Sequence, residues 1–330
     1  MTIRARSKTF AVSLITAIGV GIGCIPALHA QEKYPSRPIR FLIPFPPGGA
    51  ADIIGRTIGE KISARLGQPV VMDNRPGAGG AVATAILAKS EPDGYTILVG
   101  LAGPIAISPW LVKLPYQPDR DLLPITRVSE TLDVMVVPTA SGIGSVKEFI
   151  DWAKRNPGNV RDGSSGIGQF DHLAAELFQR LAGVQLTVVT YKGGGPALID
   201  LVSGQLQVAF CTYIVAAPHL QSRKLRVLAV VTPERQPLLP GVPTVGETVP
   251  GFGLSNWNGI FAPAHTPAPV VDRIFAEVSR ALTAPDLKEK QNALGIEPVG
   301  SASPKEFSQF VRSETAKWGK IVHDANIKLD

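Results

Sequence analysis

Four short glycine-rich stretches hold the residues best able to do chemistry. They are Pro44-Phe45-Pro46-Pro47-Gly48-Gly49-Ala50-Ala51-Asp52, Arg75-Pro76-Gly77-Ala78-Gly79-Gly80, Gly163-Ser164-Ser165-Gly166-Ile167-Gly168 and Tyr191-Lys192-Gly193-Gly194-Gly195-Pro196. The first, third and fourth fall between a predicted strand and a predicted helix, and the second follows a strand. In an open α/β sheet, ligands bind at the carboxyl ends of strands, where helix N-termini present unpaired N–H groups and a positive dipole end. Glycine there lets a ligand approach the backbone closely. One such turn is more often a tight turn and nothing else. Four in one chain favour an anion held without lysine or arginine in contact.

Other chemistries have weaker footing. No Gly-x-x-x-x-Gly-Lys-Ser/Thr occurs, and no Gly-x-Gly-x-x-Gly follows a strand with an acid about 20 positions on, so nucleotide binding is not expected. Ser164 or Ser165 could be a nucleophile with His172 as its base. The Gly-x-Ser-x-Gly elbow is absent, however, and a helix start explains these serines equally well. The histidines at 172, 219, 265 and 323 lack metal-ligand spacing, and Cys211 has no neighbouring cysteine. Cys211 reads as a small apolar filler at a strand end. Asp52 could equally order the first turn or reach a ligand. Trp257 reads as packing rather than as a ligand-facing ring. No catalysis, cofactor or metal is expected.

These turns need elements to position them. Residues 39–43 read as a buried strand, and Ile54, Ile58, Ile62 and Leu66 recur every fourth residue on one helical face. Strands follow at 69–72 and 96–99, with a helix through Ile86 and Leu87 between them. Strand-helix alternation argues for βαβ units and a mainly parallel sheet. A second set begins with a strand at 134–137, and Ser145 with Glu148 forms a capping box for a helix on Val146, Phe149, Ile150 and Ala153. A helix marked by Leu173, Leu177 and Leu181 comes next, then a strand at 186–190, a helix at 196–203 and a strand at 225–231. After a proline-rich stretch at 233–250, Val271, Ile274, Val278 and Leu282 lie along one helix. Ser303 and Glu306 open the last helix, with Phe307, Phe310, Trp318 and Ile321 as its apolar side. These late helices have almost no strands of their own, so they must pack on a sheet made elsewhere. The expected arrangement is a discontinuous first domain of residues 31–133 and 255–330, a second of 134–254, and a hinge of two crossings.

The first thirty residues differ in kind. Arg4, Arg6 and Lys8 precede an uncharged run from Thr9 to Ala30, the layout of a secretory signal peptide. Gly19, Gly21, Gly23 and Pro26 interrupt the run, which favours cleavage after Ala30 over retention as an anchor. Lipidation at Cys24 is disfavoured, because Gly21 stands where a large aliphatic residue is expected. The whole chain has 330 residues and a formal charge of +6; removing residues 1–30 leaves 30 Lys+Arg against 27 Asp+Glu, a formal +3. No Lys/Arg cluster interleaved with aromatics suggests nucleic acid. Only Cys211 remains in the mature part, so a hydrophobic core rather than a disulfide must hold the fold. About 300 residues usually split into two domains.

The same turns carry a resemblance. PFPPGGAAD (44–52) with Arg56, NRPGAGG (74–80), PDGYT (92–96), SSGIG (164–168) with His172-Leu173-Ala174, YKGGGPAL (191–198), SRKLR (222–226) and NWNGIFAPAHTP (256–267), with Tyr34-Pro35 before the first strand, resemble the substrate-binding proteins of the tripartite tricarboxylate transporter family, also known as Bordetella uptake gene products. The resemblance implies a type II periplasmic-binding-protein fold, two α/β domains closing on an organic carboxylate. It implies a carboxylate held by backbone groups and ordered waters, with Phe45, Pro46, Pro47, Gly48, Gly49, Ala50 and Asp52 from the first turn and Ala102 after the third strand. From the second domain come Ser164, Ser165, Gly166, Ile167, Gly168 and His172, and Tyr191, Lys192 and Gly193 flank them. Waters suit a pocket without cationic side chains, since a buried unpaired carboxylate is heavily penalised. The implied partners are membrane transporter subunits, or a sensor kinase that reads the same closed surface; the protein itself is expected to be a monomer.

One departure bears on the ligand. Many relatives carry an aspartate followed by an asparagine where this chain has Cys211 and Thr212. Loss of that charge at Cys211 and Thr212, both taken as ligand contacts, predicts a carboxylate without an amine, with room for a less polar and even aromatic body.

Overall fold

A computed structural model describes residues 34–324 and 327; residues 1–30, expected to be a signal peptide, and with them Cys24 lie outside the described residues. Strand β1 (Ile39–Ile43) is buried almost throughout, as a central strand covered on both faces should be. Helix α1 (Ala50–Leu66) buries Ile54, Ile58 and Ile62 and stops at Gly67, whose left-handed φ of 70° lets its N–H reach the Ser63 carbonyl at 3.1 Å. Next come β2 (Val70–Asn74), α2 (Ala81–Ala88) and β3 (Thr96–Leu101). Strands β2 and β3 flank β1, both parallel to it.

After the single-turn helix α3 (Pro118–Asp121), the chain departs from the expected parallel pattern. Strand β4 (Leu122–Thr131) and, far along the chain, β10 (Asn256–Pro263) and β11 (Ile296–Pro298) complete a six-stranded sheet in the order β11-β4-β10-β3-β1-β2, and every pairing among the added strands is antiparallel. The returning chain therefore supplies an inner strand rather than helices alone. Gly259 breaks the apolar run of β10 for a packing reason: a Cβ there would run into the Phe307 ring.

Between these strands the chain builds β5 (Asp133–Pro138), α4 (Val146–Arg155), β6 (Arg161–Ser164), α5 (Phe170–Ala182), β7 (Thr187–Thr190), α6 (Gly194–Val202), β8 (Ala209–Thr212), α7 (Tyr213–Gln221) and β9 (Leu225–Val230). Strand β5 is the centre of an antiparallel β8-β5-β9 sheet, while β6 and β7 pair in parallel. The remaining helices are α8 (Ala268–Leu282), α9 (Pro285–Asn292) and α10 (Pro304–Asp324).

The predicted caps form in part. Ser145 accepts the Glu148 N–H at 3.2 Å, but the Glu148 carboxylate takes the N–H of Gly144, one residue early. Ser303 and Glu306 repeat this pattern with Ala302. Leu181, one of the three leucines that mark α5 in the sequence, is exposed at its last turn.

Only Leu132 separates β4 from β5, so the chain passes directly from one sheet to the next. The return passes beside it, where Val231 donates to the Asp133 carbonyl at 2.9 Å and Leu254 to the Val231 carbonyl at 3.1 Å. One apolar core runs across both regions, from Leu42 and Leu98 to Val137, Phe149 and Phe178. In it the Phe170 ring of α5 meets Trp318 of α10 edge-on at 6.0 Å.

Candidate functional site

Four helices begin at one cavity of about 500 Å³. They are α1, α5, α6 and α7, their N-caps are Gly49, Gln169, Gly193 and Thr212, and none has a side-chain cap. Each follows a strand, so the strands β1, β6, β7 and β8 point their carboxyl ends at the same space. The first N–H groups of a helix have no partner within it. An anion at one such end gains about 0.3–1 kcal/mol when exposed and up to ~2 when partly buried. Gly49, Ala50 and Ala51 line the cavity from α1, Phe170 from α5, Gly193, Gly194 and Gly195 from α6, and Thr212 and Ile214 from α7.

Two aspartates shape the turns. Asp52 accepts the Gly48 N–H at 3.0 Å, Arg56 Nε at 2.9 Å and Asn74 Nδ2 at 3.0 Å, while Asn74 also donates to the Phe45 carbonyl. Burial pushes the Asp52 pKa up, but these hydrogen bonds and the Arg56 charge together hold it below the usual carboxylate value. Asp52 thus orders the first turn and lies outside the cavity lining. Asp171 does the same for the third turn, accepting from the Ser165 N–H at 2.5 Å and the Ser165 hydroxyl at 2.9 Å, and it also borders the cavity. Burial raises its pKa to about 6 against those bonds.

The cavity floor comes from strands that cross between the sheets: Thr131 of β4, Asp133 of β5, and Asn256 and Asn258 of β10. Alternation along β10 puts both asparagines on the cavity side and Trp257 on the other, where it is fully buried against Phe261, Phe307 and Phe310. Asn258 donates to Ser129 at 3.1 Å and Thr131 at 2.8 Å. Asn256 donates to Asp133 Oδ2 at 2.9 Å. Asp133 stands opposite Thr212 in the β5–β8 ladder, so an acid is present although Cys211 and Thr212 carry none.

Of the expected ligand contacts, Phe45, Pro46, Pro47, Gly48, Gly49, Ala50, Ser165, Lys192, Gly193, Cys211 and Thr212 line this cavity. Gly166, Ile167 and Tyr191 line an adjoining one of about 820 Å³, which shares Phe45, Ser165 and Lys192 with the first. Its wall includes Val82, Ile86 and Val112, and its charged residues are Lys89, Lys113 and Lys192. Ala102, Ser164, Gly168 and His172 line neither; all four are buried. Asp133, Gln169, Asn256 and Asn258 went unnoticed in the sequence. A lone acid between Leu132 and Val134 and the Asn-Trp-Asn alternation were the available signals.

The serine and histidine do not form a nucleophile pair. The Ser165 hydroxyl donates to Asp171 and the Ser164 hydroxyl to the Gly166 carbonyl at 3.2 Å. His172 Nδ1 accepts the Gly168 N–H at 3.2 Å, and burial pushes its pKa down to about 4. It holds the turn as a neutral ring. Among the described residues no cluster of three or more His, Cys, Asp or Glu could hold a metal ion, and no helix is long and apolar enough to cross a membrane.

Strand-to-helix turns around one inter-sheet cavity define a binding protein of the periplasmic type, and the comparisons agree. The R. palustris Rpa4515 structure with adipate superposes with a TM-score of 0.86 at 32% identity, covering 89% of this chain and 99% of that one. MatC from Rhodopseudomonas palustris with bound malate gives 0.82 at 33% identity, covering 88% and 100%, and the periplasmic binding protein BugD 0.83 at 31%, covering 89% and 99%. The profile of the tripartite tricarboxylate transporter family receptor matches residues 54–327, and the chain belongs to that family. Sequence relatives include a protein in the tcbD-tcbE intergenic region of Pseudomonas sp. strain P51, 39% identical over 88% of this chain and 87% of the relative. BugT of Bordetella pertussis is 34% identical over 96% and 98%. It is a family of solute-binding proteins, and two of the solved relatives hold carboxylates, adipate and malate.

Proposed function

We propose that this protein is exported by its first thirty residues and captures a small organic carboxylate between two α/β domains, residues 31–133 with 255–330 and residues 134–254. It then hands the ligand to the membrane subunits of a tripartite tricarboxylate-type transporter. The observation that carries this is the convergence of four helix N-termini without side-chain caps on one cavity. A carboxylate there meets backbone donors and positive dipole ends, and the donors are oriented before the ligand arrives. The first turn, around Gly48 to Ala50, and the turns at Ser165 and Gly193 supply contacts from the two sides. The cavity suits a molecule of a few to about a dozen heavy atoms, the size of the adipate and malate held by relatives. Closure follows from a ligand that touches both domains and so binds the closed form better.

The test is a thermal-shift and calorimetric screen of the chain from Gln31 against mono-, di- and tricarboxylates, aromatic acids and amino acids. Adipate and malate belong in the panel. A saturable rise in melting temperature with one class of carboxylate is expected, because a ligand of the folded state stabilises it by mass action. A flat response in protein freed of carried-over ligand would overturn the proposal.

A further inference from the structure

Asp133 is the cavity group that backbone recognition of a carboxylate leaves unexplained. It opens β5 immediately after the crossing from β4, lines the cavity, and is only 3% exposed. Its Oδ2 accepts from Asn256, and its Oδ1 has no hydrogen-bond partner among the described residues. It forms no ion pair among the described residues. The ionisable groups around it are Asp171 from α5 and the Cys211 thiol from β8, with Asp162 of β6 beyond them. Thr131, Thr212, Asn256 and Asn258 complete the surroundings, and among the described residues the only cation lining the cavity is the exposed Lys192.

A carboxyl in this setting is a better acid than anion. Burial removes the water that would solvate its charge, and Asp171 is a second acid close by; together they outweigh the Asn256 bond and move the pKa to about 8. The neutral form differs from the charged one in having an O–H to donate. The surrounding field favours an anion as the acceptor, since the helix N-termini bring partial positive charge and would repel an ammonium. An O–H donated to a carboxylate is among the stronger hydrogen bonds.

We propose that Asp133 recognises the ligand as a neutral acid, donating the hydrogen on Oδ1 to a ligand carboxylate and so selecting carboxylates over amines at that point. This rests on the carboxylate-binding function proposed above and adds the side chain that distinguishes one ligand from another. It makes binding proton-linked. The protein binds its ligand with Asp133 protonated, so affinity is full below the pKa of Asp133 in the free protein and falls as the pH rises through it.

The experiment is calorimetric titration with adipate, or with the carboxylate of the panel that binds most tightly, between pH 6.5 and 9.5 in two buffers of different ionisation enthalpy. Affinity should fall by roughly tenfold per pH unit above about pH 8, with nearly one proton taken up per ligand bound there. In Asp133→Asn both the fall and the uptake should vanish. Asn256→Ala removes the bond that stabilises the charged form, so the fall should move to higher pH, and this second variant keeps the test open if the first fails to fold. A flat wild-type affinity would overturn the proposal, as would an unchanged slope in Asp133→Asn. Tighter binding of aspartate as the pH rises would overturn it too and make Asp133 the counter-ion of an ammonium. Carboxylate binding without a slope sinks this inference alone; no carboxylate binding by folded protein sinks the functional proposal with it.

Discussion

Gln169, the N-cap of α5, donates its Nε2 hydrogen to the carbonyl of Gly79, 90 residues earlier in the chain. Beside it the Ser108 hydroxyl donates to the Gly168 carbonyl at 3.1 Å. Two glycine-rich turns from different sheets are thereby held together at the cavity wall, and Gly79 must be glycine, because a Cβ on its left-handed backbone, φ 59°, would run into the Gln169 amide.

Removing this clasp should therefore weaken ligand binding more than folding. Gln169→Ala is expected to reduce affinity by about 1–1.5 kcal/mol, roughly 5–13-fold, with the melting temperature of the ligand-free protein little changed. Gly79→Ala should cost at least as much. Calorimetry beside thermal melts measures both, and a variant with full affinity would show the clasp to be idle.

Asp52 should matter to stability and to the first turn alike. Asp52→Ala removes one acceptor from each of Gly48, Arg56 and Asn74, and a loss of about 1.5–3 kcal/mol is expected at pH 7. The carboxylate's pKa is held down in the folded state, so the stability it supplies is present above its unfolded pKa and lost as the pH falls through the folded one. Denaturant melts should thus show the variant and wild type converging below about pH 4. A gap of constant size between pH 7 and pH 3 would contradict this.

Asp162 makes the opposite prediction. Both of its carboxyl oxygens are buried, and burial first, then the charge of Asp171, raises its pKa well above the usual value against the Phe210 backbone N–H. Its unfolded form ionises near pH 4 while its folded form keeps the proton, so it costs stability increasingly as the pH rises between those two values. Asp162→Asn cannot ionise in either state. Relative to wild type its stability should grow as the pH rises above about 4, by at most about 1.4 kcal/mol per unit. Parallel stability profiles would refute the assignment.

Cys211 should be inert although it borders the cavity. Burial, followed by the charges of Asp133, Asp171 and Asp162, raises its thiol pKa well above the usual value, and the thiolate is the reactive form. Iodoacetamide at pH 8 is expected to leave the Cys211 peptide unmodified in native protein and to label it fully in urea, as mass spectrometry would read. Rapid labelling of the native form would count against that burial.

Much was legible locally. The four-residue spacing of Ile54, Ile58 and Ile62 specifies a helix because one face must meet the sheet, and the apolar run at residues 39–43 specifies a buried strand. The glycine turns could be read as strand-to-helix junctions because backbone with positive φ or close packing leaves a mark at single positions. Strands β4 and β10 left no such mark. Pro124, Arg127 and Glu130 obscure the first and Gly259 the second, and each is a strand through pairing with a segment distant in sequence.

The amino-acid sequence by itself determined the helical faces, the glycine turns and the family, all properties of neighbouring residues or of a linear motif. The tertiary structure alone decided what the turns enclose. It brought Asp133 opposite Thr212 and beside Asn256, it turned Asp52 and His172 inward to hold their own turns, and it gathered four helix ends onto one cavity. Such placements depend on which strands pair, and pairing is a contest among whole segments for burial. No spacing within a single segment records its outcome.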